Sequence, residues 1–256
     1  MRHYFITGTS SGIGKAYAEY ILENEADSVV TGISRREGMS HLRFNHIALD
    51  LGNRESLLNF QFKVNQNATE VVLVNNAGYI GDIKRIGNAS DLEILKLVDI
   101  NISAVLVLTN KFIQQVNSSL NRIVLNIGSG AANYPIDAWT PYCSSKAAIE
   151  HFTACVANEQ QVTNGSLIIK NISPGVVNTE MQAEIRKSNH TDFSRHEHFV
   201  NLHENGELKL ECTFKDGLKY GKTVKYYENG KLQVEIRRVE GRHVSHFYLT
   251  VFLQSI

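Results

Sequence analysis

The sequence has little of what marks several large protein classes. Its 256 residues include only three cysteines, Cys143, Cys155 and Cys212, widely spaced and without a CxxC pair. An odd, scattered set of thiols gives no disulfide frame and no cysteine zinc site, and it fits a reducing compartment. Neither sign of charge dominates, with 26 basic and 26 acidic residues, so nothing recommends a nucleic-acid partner. No apolar run approaches the roughly 20 residues needed to cross a bilayer, which excludes a helical membrane span. The chain opens Met1-Arg2-His3-Tyr4-Phe5-Ile6-Thr7-Gly8, already strand-like, so no signal peptide is expected. A cytoplasmic protein is expected. What is present is ordinary globular material, 43% hydrophobic and 20% charged, enough for one α/β domain and an appendage.

Apolar runs at 4–7, 28–33, 46–48, 70–75, 122–127 and 167–172 predict strands. Several are apolar on both faces, as buried parallel strands are. Stretches with helical spacing lie between them, at 15–24, 56–64, 92–116 and 142–159. This alternation predicts a doubly wound parallel sheet whose strand ends share one functional edge. The texture changes after about residue 199. His203-Glu204-Asn205-Gly206-Glu207-Leu208 recurs as Tyr227-Glu228-Asn229-Gly230-Lys231-Leu232, with Lys215-Asp216-Gly217 between. Asn-Gly and Asp-Gly are strong hairpin-turn signals, so two β-hairpin units are predicted here. The apolar run 246–253 has strand character.

The first strand runs straight into Thr7-Gly8-Thr9-Ser10-Ser11-Gly12-Ile13-Gly14, which opens the first helix. That context suits a dinucleotide-phosphate turn. Gly8 makes the turn, Gly12 admits the pyrophosphate to the backbone, and Gly14 allows close packing. Free N–H groups at the helix start then face the phosphates. The end of the second strand decides between the two nicotinamide dinucleotides. An acid there would bond a ribose 2′-hydroxyl and repel a 2′-phosphate, yet the chain reads Thr31-Gly32-Ile33-Ser34-Arg35-Arg36 with no acid before Glu37. Arg35, with Arg36, Ser10 and Ser34, can hold a phosphate by charge-assisted bonds, which points to NADP.

Tyr142 and Lys146 stand four apart on a predicted helix and so share a face. A neighbouring ammonium and a positively charged nicotinamide both favour phenolate, and this should draw the tyrosine pKa down towards neutrality. Cys143 reads as a packed thiol. His190, His196, His198 and His203 lack the spacing of a zinc site, and no metal is expected.

With the spacing Thr-Gly-x3-Gly-Ile-Gly, the ordered set that follows resembles the short-chain dehydrogenase/reductase family. The set is Asp50-Leu51, Asn75-Asn76-Ala77-Gly78, Asn101, Ser129, Tyr142-Cys143-Ser144-Ser145-Lys146 and Pro174-Gly175. The resemblance covers residues 1–200 and implies a Rossmann-like α/β fold. It implies Tyr142 as acid in reduction and base in oxidation, Lys146 on the nicotinamide ribose, Ser129 on the carbonyl, and Asn101 organising a water path through Lys146. It places Asp50 and Leu51 near adenine. Asn76, Ala77, Gly78, Pro174, Gly175, Val177 and Thr179 complete the cofactor contacts, Thr179 on the carboxamide. Gly128 departs from the family, where a first serine is frequent.

The stretch Ser173 to Gln182, followed by Ile185-Arg186, looks like the sepiapterin reductase and benzil reductase branch, whose members commonly have Asp at the position of Asn178. This implies an NADPH-dependent carbonyl reductase for a small ketone or α-dicarbonyl, with a lid beginning at Glu180. The family's two long helices imply a homodimer. Residues 201–256 resemble bacterial MORN-variant repeats and stand where the family has its last helix and strand. That substitution leaves a second reading open, a non-catalytic cofactor-binding pseudo-reductase or a repeat-mediated interaction protein.

Overall fold

The computed structural model describes residues 1–175, 177, 179–188, 193–194, 225–226 and 232–233. Strands β1 (Arg2–Thr7), β2 (Ser28–Ser34), β3 (Phe44–Ala48), β4 (Glu70–Asn75), β5 (Asn121–Ile127) and β6 (Ile168–Ile172) form one sheet in the order β3-β2-β1-β4-β5-β6. Every pairing in it is parallel. The order reverses between β1 and β4, and this switch point opens a crevice at the strand C-termini.

Alternate residues of the central strands feed two cores, as the two-residue period of a strand requires. Tyr4, Ile6, Val72 and Val74 pack on the side of α1 (Gly12–Asn24), against its stripe Tyr17, Ala18, Ile21 and Leu22. Phe5, Val71, Leu73 and Val124 face the other way. They meet Leu108 and Phe112 of α4 (Ala104–Gln115) and Val156 of α5 (Thr140–Val162).

Two predicted helices differ from expectation for identifiable reasons. The segment predicted as helix over 56–64 is the short α2 (Arg54–Asn59), capped by Asn53, whose side chain accepts from Ser56 N. Beyond it the chain extends, and Phe60 and Phe62, two apart, both enter the core. Phe62 packs edge-on against Phe5, Phe60 and Phe112. The helix predicted over 92–116 is two helices, α3 (Asp91–Val98) and α4, joined through a π-helical turn at Asp99–Ser103 that carries Asn101. Such π-turns are frequent at functional sites.

In the C-terminal part, β7 (Lys225–Tyr226) and β8 (Leu232–Gln233) pair antiparallel, Tyr226 opposite Leu232; the predicted Asn229-Gly230 turn lies outside the described residues. The remaining expectations for 201–256, including the first hairpin, the 246–253 strand and Cys212, lie outside the described residues, as do Asn178 and the four histidines named above. No helix among the described residues is long and apolar enough to cross a membrane, and they contain no cluster of potential metal ligands.

One buried polar residue ties stability to pH. His3 is 2% exposed; its Nδ1 accepts from Asn65 N at 3.0 Å, so Nε2–H donates to Thr31 Oγ1 at 2.8 Å. Burial lowers its pKa from 6.5 to about 4. Between those values the unfolded chain takes up a proton that the folded chain refuses, so stability is full above pH 6.5 and falls as the pH drops towards 4, by up to about 3 kcal/mol. His3→Gln is expected to flatten this acid limb, as urea melts at about pH 7 and about pH 4.5 would show.

Candidate active site

The crevice is stitched together by one threonine. Thr7, at the end of β1, accepts from the backbone N–H groups of Asn76 and Ala77, both at 2.9 Å, and its hydroxyl points to Val74 O at 3.4 Å. Asn76 replies with its side-chain amide, donating to Thr7 O at 2.9 Å and Gly8 O at 3.4 Å. Asn76 is therefore a brace under the glycine turn. Gly8 sits at φ +74°, left-handed, as the turn requires. Gly14 is fixed by packing, since a Cβ there would lie 2.3 Å from Asn76 Nδ2 and 2.5 Å from Gly8 O.

Helix α1 starts at Gly12, and Ser11 supplies no side-chain cap. Its first N–H groups therefore have no side-chain acceptor from Ser11, the arrangement that receives a phosphate. Ser10 and Ile13 flank this turn, both partly buried. The Ser11 hydroxyl donates to Glu180 of α6 (Glu180–Arg186) at 3.2 Å. Thr179, which caps α6 by accepting from Gln182 N, packs on Gly12. A Cβ-free cradle under an uncapped helix start fits a dinucleotide pyrophosphate.

At the end of β2, Arg35 and Arg36 are exposed. Ser34 is buried; its hydroxyl donates to Arg36 O at 2.7 Å and lies 3.2 Å from His46 Nε2. Ser34 thus shapes the arginine turn from beneath. The following loop crosses the glycine turn so closely that a Cβ on Gly38 would lie 2.4 Å from Thr9 O. His46 and Gly38 were missed from sequence; only the register of β3 beside β2, Gly32 opposite His46, brings that histidine in. Asp50 is exposed and closes its own turn by accepting from Gly52 N at 2.9 Å. Leu51 and Val177 send their side chains into the cores, leaving only backbone to face a ligand. Pro174 is buried and Gly175 has φ +76°.

Ser129, Tyr142 and Lys146 come together beside this turn. Ser129 lies two residues after β5 and caps the short 3-10 turn Gly130–Ala132 by accepting from Ala131 N at 3.1 Å. It also hydrogen-bonds the Tyr142 side chain. Lys146, 7% exposed, donates to Ile127 O at 2.8 Å, and its ammonium lies 5.6 Å from the Tyr142 ring centre. Gly78 stands next to that ammonium. Burial pushes Tyr142 up to about 12, with the Ser129 bond opposing. It pulls Lys146 down to about 8. The expectation of a tyrosine drawn towards neutrality included the positive charge of an oxidised nicotinamide; within the protein alone, desolvation is the leading influence and keeps the tyrosine protonated.

Asn101 is next door, though bonded elsewhere. Its amide takes Tyr79 N and gives to Tyr79 O, both at 2.8 Å, and reaches Ser145 Oγ at 3.1 Å. It clamps the chain after Gly78 and touches α5 one residue before Lys146. Sequence reasoning also missed an asparagine row beneath the site. Asn75, Asn126 and Asn171 stand opposite one another on β4, β5 and β6. Asn75 donates to Asn126 and Thr109, and Asn126 donates to Thr153. The Asn171 amide fills the space a side chain would need at Gly128, 2.7 Å from an added Cβ, which accounts for glycine there. Polar residues ending three apolar strands in register were the available signal.

Switch point, glycine turn and buried tyrosine–lysine pair define an α/β oxidoreductase that binds a nicotinamide dinucleotide. Residues 2–190 match the short chain dehydrogenase family, and the chain belongs to that family, an oxidoreductase acting on CH–OH/C=O. It is 35% identical to a benzil reductase ((S)-benzoin forming) of Bacillus cereus, over 81% of this chain and 88% of the relative. It is 36% identical to the enzyme of that name from Bacillus subtilis, over 91% of this chain and 97% of the relative. Coverage of that extent runs past residue 201, and the repeat-like character of 201–256 finds no support in these matches. Among solved structures, a short-chain dehydrogenase/reductase of Saccharomyces cerevisiae superposes with TM-score 0.70 at 27% identity, over 81% of this chain and 85% of that one.

Gly14→Ala is expected to abolish dinucleotide binding and to lower stability by about 1–3 kcal/mol, since backbone as well as side chain must give way. Titration with NADPH followed by nicotinamide fluorescence, together with a thermal melt, checks both parts.

Proposed function

We propose that the chain is an NADPH-dependent carbonyl reductase for small ketones or α-dicarbonyls. The observation that carries this reading is Tyr142, buried, bonded to Ser129 and backed by Lys146, beside a turn built for a dinucleotide. The benzil reductases support the substrate class, and the arginine pair at the end of β2 supports NADP. The cofactor supplies the hydride when bound. Its pyrophosphate would rest on Ser10, Ser11, Gly12 and Ile13, its 2′-phosphate on Arg35 with Arg36, and its ribose against Lys146.

The protein's own part is proton handling and orientation. Ser129 and Tyr142 grip the carbonyl oxygen, and as negative charge builds there Tyr142 delivers its proton. A pKa near 12 keeps that proton in place at neutral pH, which suits an acid awaiting its substrate. Lys146, easily deprotonated at about 8, can pass a proton on to the phenolate, and Asn101 holds the Tyr79 and Ser145 walls of the route.

Full-length protein with NADPH and benzil is expected to turn over, with Tyr142→Phe losing at least about a thousandfold in kcat. Tight NADPH binding without turnover of any dicarbonyl would instead support the non-catalytic reading. Arg35→Asp is expected to weaken NADPH at least about tenfold while sparing NADH. Equal NADPH affinity in that variant would sink the NADP assignment.

A further inference from the structure

Helix α5 carries both Tyr142 and Lys146, and two hydroxyls on its buried face stand on either side of the lysine. Ser145, wholly buried, donates to Tyr142 O at 2.7 Å and accepts from the Asn101 amide at 3.1 Å. Thr153, about two turns further along the same face, donates to Ile149 O at 2.7 Å and accepts from the Asn126 amide at 2.8 Å. Each hydroxyl gives its single proton to the helix's own backbone, which leaves its lone pairs for an amide from outside. The amides are equally committed. Asn101 Oδ1 accepts from Tyr79 N and Asn126 Oδ1 from the Asn75 amide, both at 2.8 Å, and this turns each NH2 group towards α5. Asn101 is 3% exposed and Asn126 0%, so bulk water is no substitute for either partner.

The lysine between them is tied differently. Its ammonium donates to Ile127 O at 2.8 Å, at the end of a flexible four-carbon stem. Ile127 follows Asn126 directly on β5. Adjacent residues of one strand therefore hold the helix by a stiff, buried bond and the ammonium by a loose one. We propose that Ser145 and Thr153 are positioning residues for Lys146: with Asn101 and Asn126 they clasp α5 to the π-helical turn and to β5, fixing the base of the lysine stem so that only its ammonium exchanges partners when ligands bind. This rests on the reductase reading above, in which Lys146 serves the ribose and the phenolate, and adds the residues that aim it. The asparagine row also supplies a control. Asn75 donates to Thr109 of α4 at 3.2 Å, a buried threonine of the same row whose bond leads away from α5.

The test compares Ser145→Ala, Thr153→Val and Thr109→Val in the full chain, with NADPH and benzil, each assayed well below its own melting temperature. Ser145→Ala and Thr153→Val are expected to lower kcat about three- to tenfold with KM for benzil within about twofold. Thr153→Ser, which keeps the hydroxyl, is expected to recover most of that loss, and Thr109→Val to lower the melting temperature alone. A second readout needs no turnover: the titration of Lys146 in the free protein, followed by NMR of carbon-13-labelled lysine side chains. The Tyr142 ring, the Ile127 carbonyl and Gly78 stand beside the ammonium, and of these Tyr142 is the group that titrates. Burial holds Lys146 at about 8 against an ordinary 10.5. A loosened clasp admits water, so the titration is expected to move upward in Ser145→Ala and Thr153→Val and to stay in place in Thr109→Val. Kinetics and titration unmoved in both α5 variants, or moved as far by Thr109→Val, would overturn the inference and leave the clasps as ordinary core bonds. Wild-type protein that reduces no dicarbonyl would overturn the reductase reading instead, and the Lys146 titration then decides the clasp by itself.

Discussion

The site depends on the hydroxyl of Thr7. β1 and β4 are paired in register from Arg2 opposite Glu70 to Ile6 opposite Val74, but at their ends the chains must part to leave a crevice. Ladder bonding ends there; Asn76 N keeps only a tight-turn bond to Val74 O at 3.0 Å, and part-buried amides at the parting call for a further acceptor. Thr7 accepts two of them, those of Asn76 and Ala77. Asn76 in turn bonds two carbonyls of the glycine turn and fills the space that obliges residue 14 to be glycine. One hydroxyl thus fixes where the sheet opens, how the turn is held and how near α1 comes.

Burial sets the chemistry from the other side of the crevice. The same loss of water raises Tyr142 to about 12 and lowers Lys146 to about 8, with desolvation the leading cause for both. Each shift favours the uncharged form, though Lys146 at about 8 still keeps most of its charge at neutral pH while Tyr142 keeps its proton. The two compensations are local and weaker: Ser129 bonds the tyrosine, and the Ile127 carbonyl accepts from the lysine. Within the protein the Lys146 ammonium, 5.6 Å from the Tyr142 ring centre, is the positive charge nearest to hand, and burial outweighs what it offers the phenolate.

Much of this was legible in the sequence because it is local. The glycine turn follows a strand within a few residues, and the Tyr142–Lys146 face needs only the helix period. The six strands follow from runs of β-branched residues. What was not legible depends on register and packing. Nothing near His46 in sequence shows that it lies beside Ser34; that follows from β3 pairing with β2 two positions offset. Phe60 and Phe62 read as helix because the apolar spacing of a short stretch is ambiguous, and the core resolved it by taking both rings in extended chain. The break at Asp99–Ser103 is likewise tertiary: Asn101 must aim its amide at Tyr79, and an added helical residue per turn does so. Leu51 and Val177, expected from the resemblance to meet the cofactor, send their side chains into the cores.

Helix α6 shows how the two halves of the site are joined. With seven residues it is too short to be stable alone, so its order comes from what it touches. Glu180 accepts from Ser11, and Thr179 packs on Gly12, both at the phosphate turn. Met181 approaches Gly78, and Ile185 is buried in the cluster around Tyr142. The first residues of α6 thus rest on the glycine turn while Ile185 anchors the helix beside Tyr142, so its order depends on both surfaces at once.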